Sequence, residues 1–120
     1  MSKAKFSVAS RKRRKKVLDR AKGFYGRSKN NIRTAYDAVD KALSHAYVGR
    51  KQKKRQYRRL WTVRINAACR QLDFTYSQFM HGLKLAGVEM NRKMLSEIAI
   101  HDPEAFKALV EQAKAAIPAQ

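Results

Sequence analysis

GRKQKKRQYRRLWTVRINAACRQL, residues 49–72, decides the fold. Its first half carries Arg50, Lys51, Lys53, Lys54, Arg55, Arg58 and Arg59 with no carboxylate. Its second half places Trp61, Ile65, Ala68 and Leu72 at steps of four, three and four, which stacks them on one side of a helix. Neither Pro nor Gly interrupts this stretch after Gly49, and the basic residues are good helix formers, so one helix runs through both halves. The two halves differ in what can hold them. The apolar side of the second half needs a packing partner, whereas the first half is charged all round and offers a core nothing but Tyr57. Like charges four apart, such as Arg50 with Lys54, Lys51 with Arg55, Lys54 with Arg58 and Arg55 with Arg59, weaken that half further. A bound polyanion reverses the penalty, because each phosphate neutralised releases condensed counterions.

Toward the N-terminus, Ile32, Ala35, Tyr36, Val39, Leu43, Ala46 and Tyr47 recur at three- or four-residue steps and give one mildly apolar face. The spacing predicts a single long helix from about residue 27 to about 72. At 1.5 Å per residue it would be on the order of 70 Å long, more than a domain this small can cover, so much of it is expected to project. Ahead of it, Ser10 is placed to cap a short helix over about 11–22. That helix is basic nearly all round, has only Val17, Leu18 and Ala21 as an apolar strip, and meets a stop at Gly23. Residues 1–10 show no clear period and are expected to be extended or disordered.

Beyond residue 72 the punctuation is clear. Thr75 with Gln78 matches a capping box and opens a helix over about 76–86, with Tyr76, Phe79, Met80 and Leu83 inward and Gly87 as its end. Asn91 caps a helix over 92–100, with Met90 and Leu95 placed as a hydrophobic staple and Leu95, Ile98 and Ala99 as its buried side. Asp102-Pro103 opens a last helix over 103–116, whose inward face is Phe106, Leu109, Val110, Ala113 and Ile117. The expected fold is all-α: a long basic N-terminal helical extension, residues 1–59, followed by a small C-terminal helical bundle, residues 60–120.

Charge follows the same division. The 120 residues carry 28 Lys and Arg against 9 Asp and Glu, a formal charge of +19. Residues 1–60 hold 21 of those cations and 3 of the acids; residues 61–120 hold 7 and 6. A basic arm joined to a charge-balanced module is the pattern of a nucleic-acid binder. Self-repulsion on this scale opposes compaction unless a polyanion relieves it. A run that presents charge in several directions suits folded RNA, which can surround a helix, better than a single DNA groove. Phe24, Tyr25, Tyr36, Tyr47 and Tyr57 interleave the basic clusters and could stack on unpaired bases. Tyr36 and Tyr47 fit equally well as packing residues on the mild apolar face.

Catalysis finds little here. Asp37 and Asp40 lie among basic residues with no partner, and no phosphate-cradling or metalloprotease motif occurs. The three histidines (His45, His81, His101) have no metal-ligand spacing, and the lone Cys69 reads as a buried thiol, so no catalytic, metal or cofactor site is expected. No apolar stretch approaches the roughly 18 residues of a membrane span, and residues 1–16 lack a signal-peptide core. The chain reads as soluble and cytosolic, with an organellar stroma or matrix left open. A membrane-surface helix fails for want of a continuous apolar face over residues 50–59. A DNA-binding helix-turn-helix over 76–100 with a basic arm is the rival reading; its second helix would offer only Arg92 and Lys93 near its start.

Four stretches carry a family resemblance. KKVLDRAKGFYG (15–26), RKQKKRQYRRLWTVRINAACRQ (50–71), YSQFMHGLKLAGVEMNRKMLSEIA (76–99) and AFKALVEQAK (105–114) resemble, in order and across essentially the whole chain, the bacterial large-subunit ribosomal protein L-twenty family. Thr62 departs from that family's usual Ile or Val, and the opening SKAKFS from its arginine-rich start. The resemblance implies a protein whose basic extension threads large-subunit (23S-type) rRNA, whose C-terminal domain docks on an rRNA surface beside neighbouring ribosomal proteins, and which acts early in large-subunit assembly. It also implies, for some members, repression of their own mRNA. The rRNA contacts would then fall on Arg11, Lys12, Arg13, Arg14, Lys15, Lys16, Arg20, Lys22, Phe24, Tyr25, Arg27, Lys29, Arg33, Arg50, Lys51, Lys53, Lys54, Arg55, Tyr57, Arg58, Arg59 and Arg64. Arg70, Lys84, Arg92 and Lys93 would form, with Arg64, a C-terminal RNA face.

Overall fold

The computed structural model describes residues 7–118. They form helices α1 (Ser7–Arg20), α2 (Ile32–Gln71), α3 (Tyr76–Leu85), α4 (Arg92–His101) and α5 (Pro103–Ala116), with a 3-10 turn over Gly26–Lys29. The fold is all-α, and no strand occurs among the described residues. Two compact units divide between Lys51 and Gln52, and α2 contributes residues to both.

In the first unit three small side chains, Ala21, Ala35 and Val39, are buried, with Val17, Leu18 and Phe24 packed against them. This is too little apolar surface to hold two helices by itself: at about 25 cal/mol per Å2 it falls far short of the ordering cost of some forty residues. None of the residues of α1 is buried. Three expectations change here. Ser7–Ser10 are helical rather than extended, while residues 1–6 lie outside the described residues. Ser10 therefore sits inside α1 and does not cap it; its Oγ accepts a hydrogen bond from Arg14 Nη2 at 3.0 Å. The long helix begins at Ile32, not near 27, because Gly26–Lys29 tightens into the 3-10 turn; the Asn31 carbonyl then accepts from Ala35 N at 2.8 Å. The mild apolar face is covered only at its start, since Tyr36, Leu43 and Tyr47 are exposed.

The second unit has a true core. Ile65 and Cys69 of α2 meet Phe74, Phe79, Leu83, Leu95, Phe106, Val110 and Ala113, all buried. Phe79 and Phe106 are in tilted contact, ring centroids 5.1 Å apart. The helix ends are chemically specified. Asp73 takes a positive φ of 55° just past α2, and Phe74 N donates to the Cys69 carbonyl at 3.0 Å, turning the buried Phe74 back onto the core. Gly87 performs the same turn after α3 at φ 75°, with Val88 N donating to the Leu83 carbonyl at 3.0 Å. Thr75 and Gln78 make the reciprocal capping box, Asn91 Oδ1 accepts from Met94 N at 2.9 Å, and Asp102 Oδ1 from Ala105 N at 3.1 Å. From α5, Lys114 Nζ donates to the Leu72 carbonyl at 3.2 Å, satisfying an acceptor just beyond the end of α2.

Trp61 sits at the open end of its stripe. It shares the α2 stripe with the fully buried Ile65, yet it is only half-buried and lies outside the core. Ser96 of α4 is fully buried, and its Oγ has no partner among the described residues. A close helix approach falls at Gly82 of α3, where a β-carbon would lie 2.5 Å from the Ala113 carbonyl oxygen and 2.7 Å from its Cβ. Gly82→Ala is therefore expected to destabilise the protein by about 1–3 kcal/mol, read as a lower urea midpoint with an unchanged slope. An unshifted midpoint would show that α3 and α5 separate freely.

Candidate nucleic-acid interface

The basic residues of the first unit project from helices that bury almost nothing. Arg11 to Lys16, Arg20, Lys22, Arg27, Lys29, Arg33, Arg50 and Lys51 are all exposed. In the second unit Lys53, Lys54, Arg55, Arg58 and Arg59 are exposed as well. Among the described residues the sole acid–base contact within ion-pair distance joins His101 Nε2 to Glu97 Oε2 at 3.3 Å, so none of these cations is neutralised from within. Two of them lie over aromatic rings: Lys51 Nζ is 4.7 Å from the Tyr47 ring centroid, and Lys53 Nζ 5.9 Å from that of Tyr57. A ring carries no formal charge, so these contacts leave both cations without a counter-ion.

The expected aromatic pair in the Gly-flanked loop separates into two roles. Tyr25 is 98% exposed, whereas Phe24 is half-buried against the Ala21, Ala35 and Val39 cluster. Packing can explain Phe24. It cannot explain Tyr25.

The expected C-terminal face also divides. Arg92 and Lys93, at the start of α4, line a concavity with Arg58, Trp61, Met80, Met90 and Asn91. Arg64 and Lys93 line a second one with Lys53, Lys54, Tyr57, Arg58, Leu60, Trp61 and Glu97. Arg70 lies apart, beside Thr62, Val63, Asn66, Thr75, Tyr76 and Ser77. Lys84 is exposed near the end of α3 and lines none of these. Arg92 is partly committed already, since its Nε donates to the Tyr76 hydroxyl at 2.7 Å and ties the start of α4 to the start of α3. That bond was beyond the reach of sequence spacing, because it joins residues sixteen apart across two helices.

Cys69 offers no chemistry to a ligand. Its side chain is fully buried, and burial pushes the thiol up to about 11. The unfolded thiol ionises at lower pH than the folded one, so this group's contribution to stability is complete below the unfolded value of 9.0 and is lost as the pH rises through the folded value. Thiol reagents at pH 8 are expected to label Cys69 slowly in the folded protein and rapidly in urea; equal rates would place the thiol at the surface. No metal-binding cluster occurs among the described residues, and no helix there is long and apolar enough to cross a membrane.

Fold and surface together define a class, a strongly basic all-helical protein whose Lys and Arg side chains make no ion pair among the described residues. Within that class the chain belongs to the ribosomal protein L20 family, whose model, described as Ribosomal protein L20, matches residues 3–109. It is 56% identical over 119 residues to the large ribosomal subunit protein bL20 of Koribacter versatilis, covering 99% of this chain and 98% of that one. It is 59% identical over 114 residues to the protein of the same name from Clostridium perfringens, covering 95% and 96%. The Xanthobacter autotrophicus bL20 is 56% identical over 119 residues, covering 98% and 99%.

Proposed function

We propose that this chain is a non-enzymatic structural component of the large ribosomal subunit, binding large-subunit rRNA directly and promoting early assembly. The observation that carries the reading is the row of exposed, internally unneutralised cations from Arg11 to Arg59, set on helices with almost no core. The names borne by the relatives supply the particle. In this mechanism the C-terminal unit docks with its own core formed, and the arm becomes ordered as rRNA closes around it. Each arm cation that meets a phosphate lowers the repulsion between RNA strands brought together there. The assigned rRNA contacts are Tyr25, Tyr57 and the exposed cations from Arg11 to Arg59 other than Lys41, with Arg64, Arg92 and Lys93 on the second unit. Neighbouring large-subunit proteins complete the setting, and the compartment is the cytoplasm of a bacterial cell or its organellar equivalent.

A DNA-reading helix-turn-helix fits less well. Its recognition helix would be α4, where the Arg92 side chain already bonds Tyr76 and only Lys93 remains uncommitted in the first turn. Crosslinking within assembling large subunits, mapped to residues and nucleotides, tests the proposal. Crosslinks from the arm to large-subunit rRNA are expected. Crosslinks confined to the protein's own mRNA would replace it with a repressor, and binding to a DNA operator with the helix-turn-helix.

A further inference from the structure

Trp61, on the same helical stripe as the buried Ile65, stands between two surface concavities. Both share Arg58, Trp61 and Lys93, so the indole forms a common wall. Tyr57, one turn earlier, has its ring centroid 6.3 Å from that of Trp61 at an interplanar angle of 37°. Neither ring belongs to the buried cluster. Around them Lys53, Lys54, Arg58, Arg64 and Lys93 face a single carboxylate, Glu97, which lies 3.3 Å from His101.

We propose that this cleft between α2 and α4 takes one unpaired nucleotide of the bound RNA, its base against the Trp61 indole and its phosphate among Arg58, Arg64 and Lys93. The proposal rests on the RNA-binding reading above and adds a base-contacting site to it. The chemistry selects the occupant. Five cations require an anion, and a half-open aromatic wall requires a flat apolar face beside that anion. A nucleotide freed from its helix carries both, whereas a paired base keeps its faces inside the stack. An acidic protein segment would satisfy the cations but leave the indole facing water.

Trp61 is the chain's only tryptophan, so its emission reports on the cleft alone. The full chain is titrated at low salt with a single-stranded oligoadenylate of roughly ten nucleotides, within the span of known single-strand sites, and with an abasic strand of equal length. Strand binding is followed separately by anisotropy of an end label. Saturable quenching by the oligoadenylate and none by the abasic strand is expected, although both bind through phosphates and both order the arm. Trp61→Leu should weaken oligoadenylate binding by about five- to 150-fold while leaving abasic affinity unchanged, and Trp61→Phe should recover part of the loss. If Trp61→Leu fails to fold, the quenching contrast in the native protein still decides. Equal response to the two strands, or strand binding without quenching, overturns the proposal. So does an emission change that needs another large-subunit protein, which makes the cleft a protein interface. Failure of quenching with rRNA binding intact rejects the cleft alone; failure of the native chain to bind rRNA rejects the broader reading with it.

Discussion

Phe79→Ala is expected to cost about 3–5 kcal/mol of folding stability, enough to remove most of what a domain this small possesses. Phe79 is fully buried, touches Phe106 across the α3–α5 packing, and sits three residues from the Gly82 approach that lets the two helices close. Truncation leaves a cavity in a region whose backbones are already in contact and cannot collapse to fill it. Phe106→Ala should cost a similar amount, and the double variant less than the sum, because the two rings share one contact. Urea denaturation followed by circular dichroism measures all three. A loss below 1 kcal/mol for Phe79→Ala would contradict the assignment of the core to this ring pair. Trp61→Ala should cost much less than Phe79→Ala, since the indole is half-buried and outside that cluster.

The second large effect is electrostatic. If about six to ten of the arm's cations meet phosphates, affinity for large-subunit rRNA should fall by roughly 10³ to 10⁵ between 50 and 200 mM salt, taking duplex DNA as the guide. Arg55→Ala and Arg58→Ala should each weaken binding and reduce the magnitude of the salt slope by about one, as loss of a single phosphate contact does. Both side chains are exposed on a helix segment that buries none of its residues, so neither substitution should shift the thermal melt of the free protein. A slope that stays the same would remove those two residues from the interface.

Much of this architecture was legible in the chain because its determinants are local. The Thr75–Gln78 box, the Asn91 and Asp102 caps and the Gly87 turn each depend on residues within a few positions of one another, and each is present. The buried faces of α3 and α5 followed from helical period for the same reason. For Trp61, period fixes only which side of α2 it occupies, not how far along α2 the partner helices reach; Ile65 is buried and Trp61, one turn earlier, is half-open. Gly82 passed unnoticed, since a glycine chosen for a close approach looks in sequence like any other glycine in a helix. The start of α1 lies before Ser10 although Ser10 has the composition of a cap, because nothing local distinguishes a capping serine from one bonded to Arg14 within the helix. Of the candidate interface, the exposure of the cations on the arm follows from their charge. The separation of Phe24 from Tyr25, the Arg92–Tyr76 bond and the gathering of Arg58, Arg64 and Lys93 around Trp61 all require the third dimension.

One helix with two sources of stability is the central claim: α2 is held by a core from Ile65 onward and by RNA before it. Amide hydrogen exchange on the full chain, free at low salt and bound to large-subunit rRNA, tests this directly. In the free protein, amides up to about residue 58 should exchange with little protection while those around Ile65, Phe79 and Phe106 are retained, and rRNA should slow the first group selectively. Equal protection of the arm and the core in the free protein would contradict it.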